Sequence, residues 1–345
     1  MNRKRTDILC GMLIGTALVI LLSGCGEREP STGEPEETAK EESTGEIQEE
    51  DINTDALTDL HMLREDVEVD LENVEEPYNF LLMADFHLGV LDEDVTQQDT
   101  VKQRMETFRV WNGKTPAENW EKLPGALNDT GADGILFAGD MLDFASPATV
   151  STLKEGMDRL NFPCMYLRAD HDMENYFCNK GLRAETDALH HQILSDDGEF
   201  PFYEEAGNEN IFCWEYEEFM IVGMNFSTRQ ISKEALNEFI TLCQKKKPII
   251  LVMHVPLNSI TDSGLGESSR EIFTDRNLTW GNGCYYYPDI NTAAFLQLVY
   301  QDSSPVRQVL AGHLHFHWNG TVIKEVKQRV MSPLFKGYYT VLTIK

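Results

Sequence analysis

Ile135-Leu-Phe-Ala-Gly-Asp-Met-Leu-Asp143 is the stretch on which the fold turns. Ile135, Leu136, Phe137 and Ala138 form a short apolar run, which reads as a parallel strand covered on both faces. Gly139 stops the strand, and Asp140 and Asp143 follow in the turn. Ligands of open α/β sheets collect beyond the carboxyl ends of the strands, so carboxylates delivered there are candidates for a site. One such junction is weak evidence, because Asp in a turn usually serves the turn.

Four more apolar runs end the same way. Phe80 to Ala84 leads into Asp85-Phe-His87, and Cys164 to Leu167 into Ala169-Asp170-His171-Asp172. Pro248 to Met253 ends at His254, and Val306 to Leu310 at Gly312-His313-Leu-His315. Helices are predicted over 96–110, 120–128, 148–160 and 233–245. The runs 211–214 and 219–222 read as an antiparallel hairpin and hence a second sheet. Residues 258–288 read as a long loop, and two or three strands close the chain. Three carboxylates and four imidazoles at these junctions suit borderline divalent metals such as Mn, Fe, Co, Ni or Zn. Oxygen ligands alone would suggest Mg or Ca instead.

Taken in order, these junctions resemble the calcineurin-like metallophosphoesterase pattern D-x-H, G-D-x-x-D, G-N-H-[DE], H and G-H-x-H, over about residues 78–345. The resemblance implies a metallo-dependent phosphatase-like fold, a four-layer α/β/β/α sandwich with a two-metal site above the strand ends. Asp85, His87, Asp140 and His315 would hold one metal. Asp140 would bridge to a second, held also by Asp170, His254 and His313. Manganese, iron or zinc is expected. A metal-bridging hydroxide would attack phosphorus in line. His171, oriented by Asp143 in preference to Asp172, would face the leaving oxygen.

One tetrapeptide departs from that pattern: Ala169-Asp170 stands where the family has Gly-Asn. Alanine implies a backbone angle that an L-residue tolerates. A carboxylate in place of an amide removes one positive unit from the site. The expectation is a tilt towards diesters, slower turnover or tighter metal binding. In the 258–288 loop, Arg270, Trp280 and Tyr286 are candidate substrate contacts, since an aromatic can stack a base or sugar while a guanidinium holds phosphate.

The N-terminus reads as a targeting segment. Arg3, Lys4 and Arg5 precede an apolar run of 15 residues, Ile8 to Leu22. A membrane span needs about 20, so the run suits a signal peptide over residues 1–24. Leu22-Ser-Gly-Cys25 resembles a bacterial lipobox, which implies cleavage before Cys25 and its lipidation. Between Glu27 and Glu76 there are 20 acidic residues against 3 basic ones, which reads as a disordered tether over 25–76. The folded domain would then span 77–345, outside the cytoplasm and anchored to a bacterial membrane.

The formal charge of −29 argues against duplex nucleic acid as a partner. Seven dispersed cysteines, without a Cys-x-x-Cys pair, argue against a disulfide framework or zinc ribbon. The expected function is hydrolysis of a phosphomonoester or phosphodiester, either a small molecule or a cell-envelope component. The alternative is a lipoprotein that binds metal or phosphate without hydrolysis.

Overall fold

Successive side chains of the central strands point to opposite faces, and both faces are buried. The computed structural model describes residues 52–93, 98–175, 183–194, 210–225, 230–259, 264–275 and 289–345. One sheet has the order β1-β11-β2-β3-β4, from β1 (Leu63–Val69), β2 (Tyr78–Met83), β3 (Gly134–Ala138), β4 (Cys164–Leu167) and β11 (Tyr338–Ile344). The other contains β5 (Ile211–Glu215), β6 (Met220–Met224), β7 (Ile249–Met253), β8 (Val306–Ala311), β9 (Trp318–Ile323) and β10 (Val326–Val330). Its order is β5-β6-β7-β8-β10-β9. β2, β3 and β4 run parallel, as do β6, β7 and β8.

The alternation assigns each side chain to a layer. Leu81, Met83, Ile135 and Phe137 pack on the helical layer of α3 (Pro116–Trp120), α4 (Leu123–Asn128) and α5 (Pro147–Met157) through Trp120, Leu127 and Leu153. Phe80, Leu82, Leu136 and Ala138 face the other way and meet Ile221, Ile250, Val252 and Leu310 of the second sheet. That sheet's outer face packs Val222, Leu251 and Val309 against Phe239 of α7 (Lys233–Gln244) and Phe295 of α9 (Ile290–Tyr300). The fold is a four-layer α/β/β/α sandwich. Each fully buried Leu, Ile or Phe contributes roughly 1.5–3 kcal/mol, so these three cores hold the layers together. Where β6 crosses β4, Gly223 makes room for the β4 side chains: a Cβ there would lie 2.4 Å from Met165 Sδ and displace it.

The folded unit begins upstream of residue 77, the boundary expected from composition. α1 (Asp55–Asp59) buries Leu57, and β1 pairs in parallel with β11 from Leu63↔Tyr338 to Val69↔Ile344. β1 is an edge strand that buries only Val67 and Val69, so its acidic outer residues dominate the composition. Residues 258–288 are not all loop either, because α8 (Gly264–Asp275) lies within them. The helix expected over 96–110 is confined to α2 (Gln98–Glu106). The one expected over 120–128 is instead α3 and α4, with α3 started by a Thr115–Glu118 capping box before Pro116. α6 (Arg183–Leu194) completes the α-helices among the described residues.

Cys164 is buried and free, and Cys213 and Cys243 are free and half-buried. Among the described residues, no helix is long and apolar enough to cross a membrane. The expected signal peptide, Cys25, Trp280 and Tyr286 lie outside the described residues.

Candidate metal centre

The segments that follow β2, β3, β4, β7 and β8 all reach one edge of the two central sheets. After β2 and β3 they run side by side. Asp85 N–H donates to Gly139 O at 3.0 Å, Phe86 N–H to Asp140 O at 2.8 Å, and Leu88 N–H to Met141 O at 2.8 Å. Asp85, His87, Asp140, His313 and His315 have φ between 51° and 74°. Left-handed backbone at a residue other than glycine costs of order 1–3 kcal/mol, and such strain gathers at functional sites. Two glycines let the segments close up. A Cβ on Gly139 would meet His254 Nδ1 at 2.7 Å, and one on Gly312 would meet Asp85 Oδ2 at 2.6 Å.

Two groups of side chains converge there, each with one donor atom per residue within 4.8 Å of the others. The first is Asp85, His87, Asp140 and His315; the second is Asp140, Asp170, His254 and His313. Asp140 belongs to both. Asp85, His87, Asp140 and His254 are at most 1% exposed, whereas the His315 side chain is 27% exposed and opens the cluster to solvent.

Ring nitrogens face each other at 3.1 Å between His87 Nε2 and His315 Nε2, and at 3.2 Å between His254 Nε2 and His313 Nδ1. Two bare lone pairs repel and two N–H groups clash, so a shared proton or a cation must lie between them. With Asp85 Oδ1 3.3 Å from His315 Nε2 and Asp140 Oδ2 3.0 Å from His254 Nε2, the donor set fits divalent cations.

Surrounding groups hold the donors in place. His254 Nδ1 lies 2.9 Å from Ala138 O; donating there, it leaves Nε2 to the cluster. Both Asp85 carboxylate oxygens accept from His313 N–H at 3.0 Å, tying a segment of one sheet to a segment of the other. Burial lowers the His87 pKa and keeps that ring neutral. Burial pulls His254 down too, but Asp140 and Asp85 outweigh it and push it up to about 10.

His171 stands beside the first group. Its Nδ1 is 3.4 Å from Asp143 Oδ1, and its backbone N–H donates to Asp140 Oδ1 at 3.1 Å. Burial opposes its protonation, yet the charges of Asp140, Asp143 and Asp170 hold its pKa well above the ordinary range. Asp172 takes another role. It accepts from the backbone N–H of Asp140 (2.8 Å), Leu142 (2.9 Å) and Ala169 (2.7 Å) and from Tyr166 Oη (2.8 Å), pinning the ends of β3 and β4. Burial and the charge of Asp140 push its pKa up to about 6, against those hydrogen bonds. Ala169 is buried and is not among the left-handed residues, in line with the replacement of glycine.

Sequence reasoning missed Arg104, on α2. Its Nε donates to Asp143 Oδ2 at 2.6 Å, and its Nη2 donates to Oδ1 at 3.0 Å. A lone arginine in a polar helix carries no local signal of such a contact. Also missed were Phe108, stacked on His87 with centroids 4.2 Å apart, and Phe335, edge-on to both His87 and His315. Arg270 is exposed on α8. His317 reaches Glu65 Oε1 at 3.0 Å, outside both groups.

The family model described as calcineurin-like phosphoesterase matches residues 57–317. Among solved structures the chain is similar to a dimetal phosphatase from Danio rerio, at 10% identity over 75% of this chain and 88% of that one, with a TM-score of 0.41. It is also similar to a phosphopantetheinyl hydrolase from Mycobacterium tuberculosis, at 10% identity, 74% and 89% coverage and a TM-score of 0.34. A 5'-nucleotidase from Candida albicans gives 13% identity, 75% and 45% coverage and a TM-score of 0.34. No curated protein matches the sequence.

Proposed function

The chain belongs to the calcineurin-like phosphoesterase family, and from that premise we propose that it hydrolyses a phosphoester with two divalent cations at the Asp140-centred cluster. The observation that carries this reading is one carboxylate shared by two Asp/His groups, with opposed imidazole nitrogens in each. Asp85, His87, Asp140 and His315 would hold one cation; Asp140, Asp170, His254 and His313 the other. Manganese, iron or zinc suits these nitrogen and oxygen donors. When bound, the cations polarise phosphoryl oxygens and lower the pKa of water.

The chain's own residues supply the rest. His171 turns Nδ1 to Asp143, so Nε2 lies on the far edge of a ring that is 30% exposed. From there it gives a proton to the leaving oxygen as the P–O bond breaks. Asp170, a carboxylate where the family pattern has Asn, lowers the positive charge of the site and tilts it towards diesters. The substrate is a small phosphoester or a phosphodiester of the cell envelope. It is met on the outer face of a bacterial membrane, where lipidated Cys25 anchors the chain.

The test loads the full chain with manganese and compares p-nitrophenyl phosphate with bis-p-nitrophenyl phosphate. Hydrolysis that favours the diester and falls about 10²-fold or more in His171→Ala supports the reading. Asp170→Asn is expected to raise monoester turnover relative to diester turnover; an unchanged ratio removes the electrostatic argument. A chain that binds two metals and cleaves neither ester would favour a binding lipoprotein.

A further inference from the structure

We propose that Arg104 is a positioning residue for the leaving-group step, acting on His171 through Asp143; the inference rests on the role given to His171 above. The guanidinium grips Asp143 side-on. Nε lies 2.6 Å from Oδ2, Nη2 lies 3.0 Å from Oδ1, and Nη2 also donates to the Asp143 backbone carbonyl. Two parallel N–H donors fix the plane of a carboxylate, which one ammonium cannot do. The position of Asp143 matters because two rings lie against it, and His171 Nδ1 is 3.2 Å from its backbone carbonyl oxygen. Oδ1 faces His171 Nδ1 at 3.4 Å and His87 Nδ1 at 3.5 Å. Arg104 grips both the carboxylate and the backbone carbonyl of Asp143, so without it the whole residue that His171 Nδ1 faces would be free to shift.

Arg104 is itself held. Its guanidinium carbon lies 5.5 Å from the centre of the fully buried Phe144 ring, and its Nη2 is 3.8 Å from Glu174 Oε2. Nη2 also lies 3.3 Å from His171 Nδ1, so the cation borders the ring it orients. His87, Asp143 and His171 are spaced so that they could hold a cation of their own. The guanidinium, permanently protonated, supplies that positive charge from a fixed helix and leaves the rings in place.

The effect should depend on the leaving group. A departing p-nitrophenolate needs little help from a proton, whereas a departing ethoxide needs it fully. Arg104→Met and Arg104→Lys would be compared with the parent chain, full-length and manganese-loaded, on p-nitrophenyl and ethyl esters of one phosphate. In Arg104→Met, kcat on the ethyl ester is expected to fall about 100-fold, the size of a lost general acid. KM should change little, and the loss on the p-nitrophenyl ester should stay under about tenfold. Arg104→Lys keeps the charge without the two-pronged grip and guards against a misfolded Met variant; its kcat on the ethyl ester should fall between those of the parent and Arg104→Met. Bound metal per chain should match the parent. Equal losses on both esters, a loss confined to KM, or a loss of metal would overturn the proposal and make Arg104 a structural tie. If the parent chain cleaves neither ester, the phosphoesterase reading fails first, and this inference falls with it.

Discussion

Among single residues, Asp172 shows how little of a buried carboxylate's role its neighbours in sequence reveal. It adjoins His171, yet its oxygens accept three backbone N–H groups and the Tyr166 hydroxyl. Asn offers one oxygen and turns an NH2 group towards donors, so buried N–H groups lose their partner. Asp172→Asn is expected to cost roughly 2–3 kcal/mol, the desolvation cost of unsatisfied buried donors. Urea unfolding of the chelated protein at neutral pH measures it. A change within about 0.5 kcal/mol, as at an ordinary surface site, would show that these donors do not depend on Asp172. Asp143, three residues after Asp140, is the carboxylate that meets His171. Its spacing was legible in the Gly-Asp-x-x-Asp run; the arginine that fixes it was not, because Arg104 lies 39 residues upstream.

At the level of elements, the strands were legible because a strand buried on both faces must be apolar throughout, and few other segments are. Edge strand β1 lacks that signature. Only Val67 and Val69 are buried, among acidic neighbours, and the strand is recognised only by its pairing with β11. Trp111 Nε1–H donates to Leu60 O at 3.0 Å, so the β1 side of the sheet is tied down from α1 as well. Removing residues 1–76 strips Leu57, Val67 and Val69 from the cores and bares the β11 edge. At roughly 1.5–3 kcal/mol per buried side chain, the melting temperature should fall by about 10 °C or more relative to a chain starting at Glu49. Equal melting of the two truncated chains would show β1 to be dispensable. α9 escaped notice for a different reason: Ile290–Tyr300 is apolar on most sides and so carries little of the helical period that marks a one-sided helix. Asp289 starts α9 by accepting from Thr292 N–H at 2.7 Å.

For the whole molecule, the proposed cations would be cross-links. Asp85, His87, Asp140 and Asp170 come from one sheet and its segments, and His254, His313 and His315 from the other. Chelation should therefore lower the melting temperature. At free metal of 100 times Kd, each bound ion stabilises by about 2.7 kcal/mol. The size of the shift should depend on pH. Without metal, His254 is raised to about 10, so the stability from its ion pair with Asp140 is complete below its ordinary value near 6.5. That stability is lost as pH rises through the folded value. A metal must displace this proton, so stabilisation by manganese should be larger at pH 9 than at pH 6.5. Melting curves with and without chelator at both values test this; a shift independent of pH would mean that His254 is neutral before the metal arrives.

The chain's own order of residues determined the five apolar strands, the junction after each, and a donor set of carboxylates and imidazoles suited to divalent metals. Those features are local: a covered strand and the turn that ends it are written within about ten residues. Only the tertiary structure decided which donors meet. His87 and His315 face each other across 228 positions of sequence. It also decided that Asp140 is common to both groups, that Asp172 pins backbone, that β1 belongs to the domain, and that Arg104 reaches Asp143. Such meetings arise from packing two sheets face to face, and no short window of sequence carries the register of that packing.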